Sequence, residues 1–326
     1  MPLKANIRRV YLTASILLLC MPGNLVSNTA AEDLGVNSAT IQEATQGLLS
    51  FLSFSIVPDS TISSLKIDNS SEEDATLLLT QFGGGFTLSN RLPIYLEGFL
   101  GYAKYDPDFV ISGEAASDQL KAKWRTFSAT AGIGYDFRIA TEWVLRPIAN
   151  FSLSHMTSTA SLVGLVLGDV VSGDSREAIE WLDDGWLTAG GAGGSLVLDF
   201  ERRRKAYEAD VELRYTHYYL TSLDSSDDIG MGHTNTATLG LWTRLRVPTG
   251  LTALGRPVRA VFEGAYSWFA NSQTDVLGFD QLAKIGLGAE LDLSKYNLLV
   301  NRARVVGRCV FGNNISGWSI SFAVSF

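Results

Sequence analysis

The residues able to do chemistry in this chain are few and scattered. The three histidines, His155, His217 and His233, fall in three different segments. In Tyr215-Thr216-His217-Tyr218-Tyr219 the imidazole would serve as a general base only with a hydroxyl or thiol in hydrogen-bond reach and a third group to orient the ring. Tyr219, not a serine, stands two residues on, so on the same face of an extended strand there is nothing to activate. The connector 222–233 carries Asp224, Asp227, Asp228 and His233, enough charge to attract a divalent cation but without the fixed ligand spacing of a cation loop. Gly190-Gly-Ala-Gly-Gly194 lacks the Gly-Lys-Ser/Thr ending of a phosphate loop and lies inside a strand pattern. The cysteines are Cys20 and Cys309. A leader that carries Cys20 away leaves one, excluding an intrachain disulfide or a cysteine-built zinc site. No catalytic residue, cofactor site or metal site is expected, and the chain is not expected to be an enzyme.

Charge used periodically is far more abundant. Glu208, Asp210, Glu212, Arg214 and Thr216 alternate with Tyr207, Ala209, Val211, Leu213, Tyr215, His217 and Tyr219. Ala283, Ile285, Leu287, Ala289, Leu291 and Leu293 alternate likewise with Lys284, Gly286, Gly288, Glu290 and Asp292, and Phe127 to Phe137 follows the same rule. A period of two with one apolar and one polar face is the pattern of a strand between two solvents. Twelve such runs are expected, near 48–57, 74–88, 93–105, 120–138, 142–156, 185–200, 206–221, 234–247, 257–269, 281–293, 301–311 and 316–326. Long connectors (58–73, 106–119, 157–184, 222–233, 270–280) alternate with short ones (89–92, 139–141, 201–205, 294–300). The connector 248–256 is long for a tight turn, and 312–315 is short. An up-and-down barrel with both ends on one side requires an even strand count and this alternation. Within 157–184, Ala160–Leu167 is apolar and Ser175–Asp183 is compatible with a helix.

The elements around these runs specify a compartment. Lys4, Arg8 and Arg9 precede the apolar run Val10–Met21 and the small-residue stretch ending Thr29-Ala30-Ala31, the order of a secretory signal peptide. Residues 1–31 are therefore expected to be a cleaved leader. Leu19 before Cys20 disfavours a lipoprotein site. Removing the leader takes the formal charge from −8 to −11, an acidic balance with no general attraction for nucleic acid. After the leader no segment approaches the ~20 apolar residues of a membrane helix, so a membrane span must be made of strands. Segment 32–47 is either a disordered leader or a short helix in or under the pore.

Facing charges give registers. A hairpin centred near Asn297 sets Asp292 opposite Arg302 and Glu290 opposite Arg304. One centred near Asp228 sets Asp210 opposite Arg246 and Glu212 opposite Arg244. Opposite charges at directly paired positions stabilise a sheet by roughly 0.2–1 kcal/mol each. With Arg308, these residues form the expected lumen charge network. Twelve-stranded barrels are narrow, and long arginines crossing the lumen should leave little continuous water path.

The chain ends with Trp318, Ile320, Phe322, Val324 and Phe326 on one face and Ser319, Ser321, Ala323 and Ser325 on the other. That terminal aromatic strand resembles the signal read by the outer-membrane assembly machinery. Together with the strand count, Gly255-Arg-Pro257 and the unit from Arg302-Ala-Arg through Cys309-Val-Phe-Gly312 to Gly317-Trp-Ser319, it resembles the translocator barrel of autotransporters. The nearest likeness is to the solitary outer-membrane autotransporter-like barrels, which have no passenger. The reading is an all-β, twelve-stranded antiparallel transmembrane β-barrel over 48–326, in the bacterial outer membrane with both termini periplasmic. A structural, gated-pore or surface-interaction role is expected, in contact with outer-membrane lipids, lipopolysaccharide and the assembly machinery, as a monomer. A small porin is one alternative; a lipid hydrolase or protease barrel is another.

Overall fold

The structure is a computed structural model describing residues 11–16, 49, 52–53, 56, 65–68, 76–106, 108–113, 116–163, 185–226, 232–270, 280–294, 301–312 and 315–325. Its strands are β1 (Tyr11–Ile16), β2 (Leu65–Asp68), β3 (Thr76–Thr87), β4 (Ile94–Asp106), β5 (Asp108–Gly113), β6 (Ala116–Tyr135), β7 (Phe137–Ala140) and β8 (Trp143–Val163). There follow β9 (Trp186–Arg203), β10 (Glu208–Ser225), β11 (His233–Ala253), β12 (Arg256–Ala270), β13 (Gln281–Asp292), β14 (Arg302–Gly312) and β15 (Ile315–Ser325). All pairings are antiparallel. From β8 through β15 each strand pairs with the next, β15 pairs with β1, β1 touches β3, and the β3–β4–β6 meander returns to β8. Among the described residues twelve strands thus close a ring.

Eleven of the twelve expected runs are strands of this ring, and the first is not. Leu49, Leu52, Ser53 and Ile56, inside the run expected as the first strand at 48–57, are helical and fully buried. Their spacing puts them on one helix face. The stretch carries helical and strand periods at once. A helix satisfies its own backbone hydrogen bonds and needs no neighbouring strand. The place beside β15 is taken instead by β1, paired from Tyr11↔Ser325 to Ile16↔Ile320 and meeting β3 at Thr13↔Gly83. β2 covers another part of the β3 edge, Leu65↔Leu79 to Asp68↔Thr76. Because β1 lies within the expected leader, cleavage near Ala31 would remove it and leave the β3 and β15 edges facing each other.

The connections β3–β4, β7–β8, β9–β10, β11–β12 and β13–β14 lie at one rim, and the geometry of one of them explains an oddity of the sequence. The connector expected over 248–256 shrinks to the two-residue turn Leu254-Gly255, because β11 runs to Ala253 and β12 starts at Arg256, with a bulge between Pro248 and Thr252. Both turn residues have positive φ, 52° and 67°, as a tight hairpin turn matching the strand twist demands. Gly255 adopts this at no steric cost, whereas Leu254 does not. Leu254→Asn is expected to stabilise the barrel by about 0.5–1 kcal/mol in urea titrations of the folded protein in lipid vesicles. At the opposite rim the expected loop 106–119 contains the hairpin β5–β6, and β8 extends to Val163. Residues 175–183, with their helical pattern, lie outside the described residues.

Candidate functional site

The distribution of side chains is the reverse of that in a water-soluble domain. Alternate residues facing outward are apolar and exposed, among them Leu100, Phe127, Phe151, Leu153, Ile285 and Leu287, with Phe127 62% and Ile285 65% accessible. Their neighbours facing inward are polar and buried: Thr126, Ser128, Thr130, Asn150, Ser154, Ser195, Thr216, Thr236 and Thr238. Water does not support such a surface, whereas a bilayer does. Outward aromatics gather toward the strand ends, with Tyr135 against Phe137 at 4.8 Å and Trp143 against Phe200 at 4.8 Å on the short-turn side, the position of an interfacial belt.

The candidate site is the lumen that this alternation encloses. On its wall, Asp210 accepts hydrogen bonds from Arg244 at 2.6 and 2.9 Å and from Arg246 at 2.7 and 2.9 Å. The Arg246 side chain is completely buried and also lies 3.2 Å from Glu208 and 3.7 Å from Glu290. Arg302 donates to Glu208 at 2.7 and 3.1 Å and to Glu290 at 3.1 Å. Arg259 lies 2.9 Å from Glu208 and 3.5 Å from Glu290. Arg304 lies 3.5 Å from Glu263 and 3.6 Å from Glu290, and Arg308 donates to Glu263 at 2.6 and 2.9 Å. Glu208, Glu263 and Glu290 are each shared by at least two arginines, so no single pair holds the layer.

The register arithmetic from sequence is right for one hairpin and two residues out for the other. Glu290↔Arg304 and Asp292↔Arg302 are paired as expected. The observed partners on β10 and β11 are Asp210↔Arg244 and Glu208↔Arg246, correcting Asp210–Arg246 and Glu212–Arg244 as the facing pairs. Glu212 faces Trp242. A slip of two keeps every side chain on its face, which is why the residues were placed in the lumen correctly and their partners were not. Glu212, 34% accessible, only approaches Arg214 at 3.8 Å. Asp292 bonds Arg256, while the guanidinium of Arg302 turns to Glu208 and Glu290.

Sequence reasoning missed Glu208, Arg259 and Glu263 as network members, and a second cluster altogether. Glu97 on β4 pairs with Arg214 on β10 and accepts from Asn150 at 2.7 Å. Asn150 accepts from Ser195, itself 2.9 Å from Thr216. Asp136, where β6 breaks before β7, pairs with Arg146 and accepts from Thr87 at 2.6 Å. Arg146 also stacks 4.0 Å over Tyr95. Single charges inside alternating apolar runs, as at Glu97 and Arg146, were the available signal. The helical segment lies in this lumen, since the inward hydroxyl of Thr130 donates to the Ile56 carbonyl at 2.7 Å.

The remaining chemistry-bearing residues are not brought together. His217 faces outward beside Tyr215 and Tyr219, as expected. The His155 Nδ1 is 3.0 Å from the Thr188 hydroxyl on the outer surface, and among the described residues its ring makes no other hydrogen bond. Asp227 and Asp228 lie outside the described residues, within which no group of three acids, histidines or cysteines is placed to hold a metal. Gly190–Gly194 lies inside β9. A Cβ at Gly193 would stand 2.1 Å from the His217 carbonyl oxygen, so close strand approach, not phosphate binding, accounts for glycine there. On β15, Trp318, Ile320, Phe322 and Val324 point outward and Ser319, Ser321, Ala323 and Ser325 inward. Phe326 lies outside the described residues.

No family model matches the sequence, and no curated protein does. Among solved structures the chain is similar to the transport unit of the autotransporter AIDA-I from Escherichia coli, at 12% identity over 87% of this chain and 96% of that one, TM-score 0.45. It is also similar to the β domain of the Bordetella autotransporter BrkA, at 13% identity over 81% and 95%, TM-score 0.43. A third likeness is to the translocator domain of autotransporter NalP from Neisseria meningitidis, at 12% identity over 81% and 84%, TM-score 0.43.

Proposed function

We propose that this chain is an integral outer-membrane β-barrel of autotransporter-translocator form, whose lumen is braced and occupied and whose role is structural or surface-interacting, with permeation at most gated. The carrying observation is the filling of the lumen. The shared arginine–carboxylate layer built on Glu208, Arg246, Glu290 and Arg302 lies on its inner wall, and Leu49, Leu52 and Ile56 are buried inside it. Single-channel recording in a planar bilayer tests this. The expected current is far below that of a general porin, and a porin-sized current would favour the small-porin alternative.

In this reading both termini face the periplasm, the short-turn rim is periplasmic, and the barrel works as a monomer without turnover. Protease added to intact cells is expected to cut within 157–184 and spare 201–205; the reverse result inverts the barrel. Phospholipid or peptide hydrolysis abolished by His217→Ala would instead support a hydrolase. The outward face of β15 supports recognition by the assembly machinery. Deletion of Phe326 is expected to lower outer-membrane assembly sharply while export continues, measured as loss of the heat-modifiable folded band in membrane fractions. Normal levels of that band would remove the terminal strand from this role.

A further inference from the structure

The short-turn rim carries a feature unrelated to the lumen. Around the ring, three consecutive short turns, β3–β4, β7–β8 and β9–β10, bring together Arg91, Arg138, Arg202, Arg203, Arg204 and Lys205 around the half-buried carboxylates Glu142 and Glu201. This basic arc stands on a chain of net charge −8. Glu142 is shared by Arg202 at 2.7 Å and Arg204 at 3.3 Å, and Glu201 is held by Arg203 at 2.7 Å. Arg138 donates to the Asn90 side-chain amide oxygen Oδ1 at 2.7 Å, tying the first turn to the second. Arg91 and Lys205 have no carboxylate partner among the described residues.

Lipid-facing aromatics on the same strands lie immediately beside these charges. Phe137 precedes Arg138, Trp143 follows Glu142, and the Arg202 guanidinium lies 5.2 Å from the centre of the Phe200 ring. A ring at the apolar boundary with a guanidinium beyond it places the cation at headgroup depth. There a phosphate is its natural acceptor, bound by two parallel N–H donors. A patch meant for an acidic soluble partner would not require the exposed rings beside it.

We propose that this basic arc selectively holds anionic phospholipid headgroups, of the phosphatidylglycerol type, in the leaflet at the short-turn rim. The inference rests on the membrane-barrel reading above and adds a lipid class and a place to it. Basic residues near an anionic surface each favour binding roughly fivefold, so three of them should give a clear preference.

The test uses the full chain refolded into bilayers containing either brominated phosphatidylglycerol or brominated phosphatidylcholine at equal mole fraction. The signal is the Trp143 fluorescence, taken as the difference from Trp143→Phe. Phosphatidylglycerol is expected to quench several-fold more effectively. That preference should be lost at high salt and in the variant Arg91→Ser/Arg138→Ser/Lys205→Ser, which touches neither the Glu142 bridges nor the lumen ion pairs. Should the threefold variant fail to fold, Arg91→Ser/Lys205→Ser is expected to lose part of the preference. Equal quenching by the two lipids, or a preference unchanged in the variants, overturns the lipid assignment and leaves the arc to an acidic soluble partner. Quenching by neither lipid would show that Trp143 does not face lipid, which overturns the membrane reading itself.

Discussion

Replacing Arg302, Arg304 and Arg308 together by Ser is expected to raise single-channel current several-fold and to make the residual pore cation-selective. Three long cationic side chains leave the lumen, and three carboxylates lose partners. Glu208 and Glu290 keep Arg246 and Arg259 within 3.7 Å, but Glu263 loses its ion pairs with Arg304 and Arg308. Glu263→Gln added to the triple variant should therefore recover stability and lose part of the cation preference, a split that separates pore width from pore charge. A current unchanged from wild type would show that these arginines do not obstruct the lumen.

Glu208→Ala is expected to be the most destabilising single change in the network, by about 1.5–3 kcal/mol, because it removes the carboxylate that three guanidinium groups share and leaves Glu290 and Asp210 to balance them. Arg302, Arg246 and Arg259 approach it at 2.7, 3.2 and 2.9 Å. Glu212→Ala, four residues away on the same face, is expected to cost less than about 1 kcal/mol, since Glu212 is partly solvated and has only a 3.8 Å contact. Urea unfolding from lipid vesicles, followed by the heat-modifiable band, measures both. Equal losses would show that the network is not centred on Glu208.

At the turn between β7 and β8, the hydrogen bond from Arg202, assisted by its charge and that of Arg204, holds the Glu142 carboxyl below the usual carboxylate range. A depressed folded value means this rim clamp contributes fully above the unfolded value and fades as pH falls through the folded one.

The sequence alone was sufficient for what depends on neighbours along or across a strand. The alternation of Tyr207 to Tyr219 and of Ala283 to Leu293 assigns each side chain to lipid or lumen, because successive residues of a strand point to opposite sides. The eleven strands from β3 to β15 that build the ring follow from it, and so does the Glu290↔Arg304 register, since the charges face each other across one short connection. Two things were decided only by closure of the ring. Residues 48–57 carry both periods, and the choice between edge strand and lumen helix depends on whether a seam or a cavity receives them; Leu49, Leu52, Ser53 and Ile56 take the cavity. Some of the ion pairs that brace the interior join strands that are not neighbours, as do Glu97 of β4 with Arg214 of β10 and Glu208 of β10 with Arg302 of β14. No hairpin register contains such pairs, because they exist only once curvature turns the two strands to face each other across the lumen.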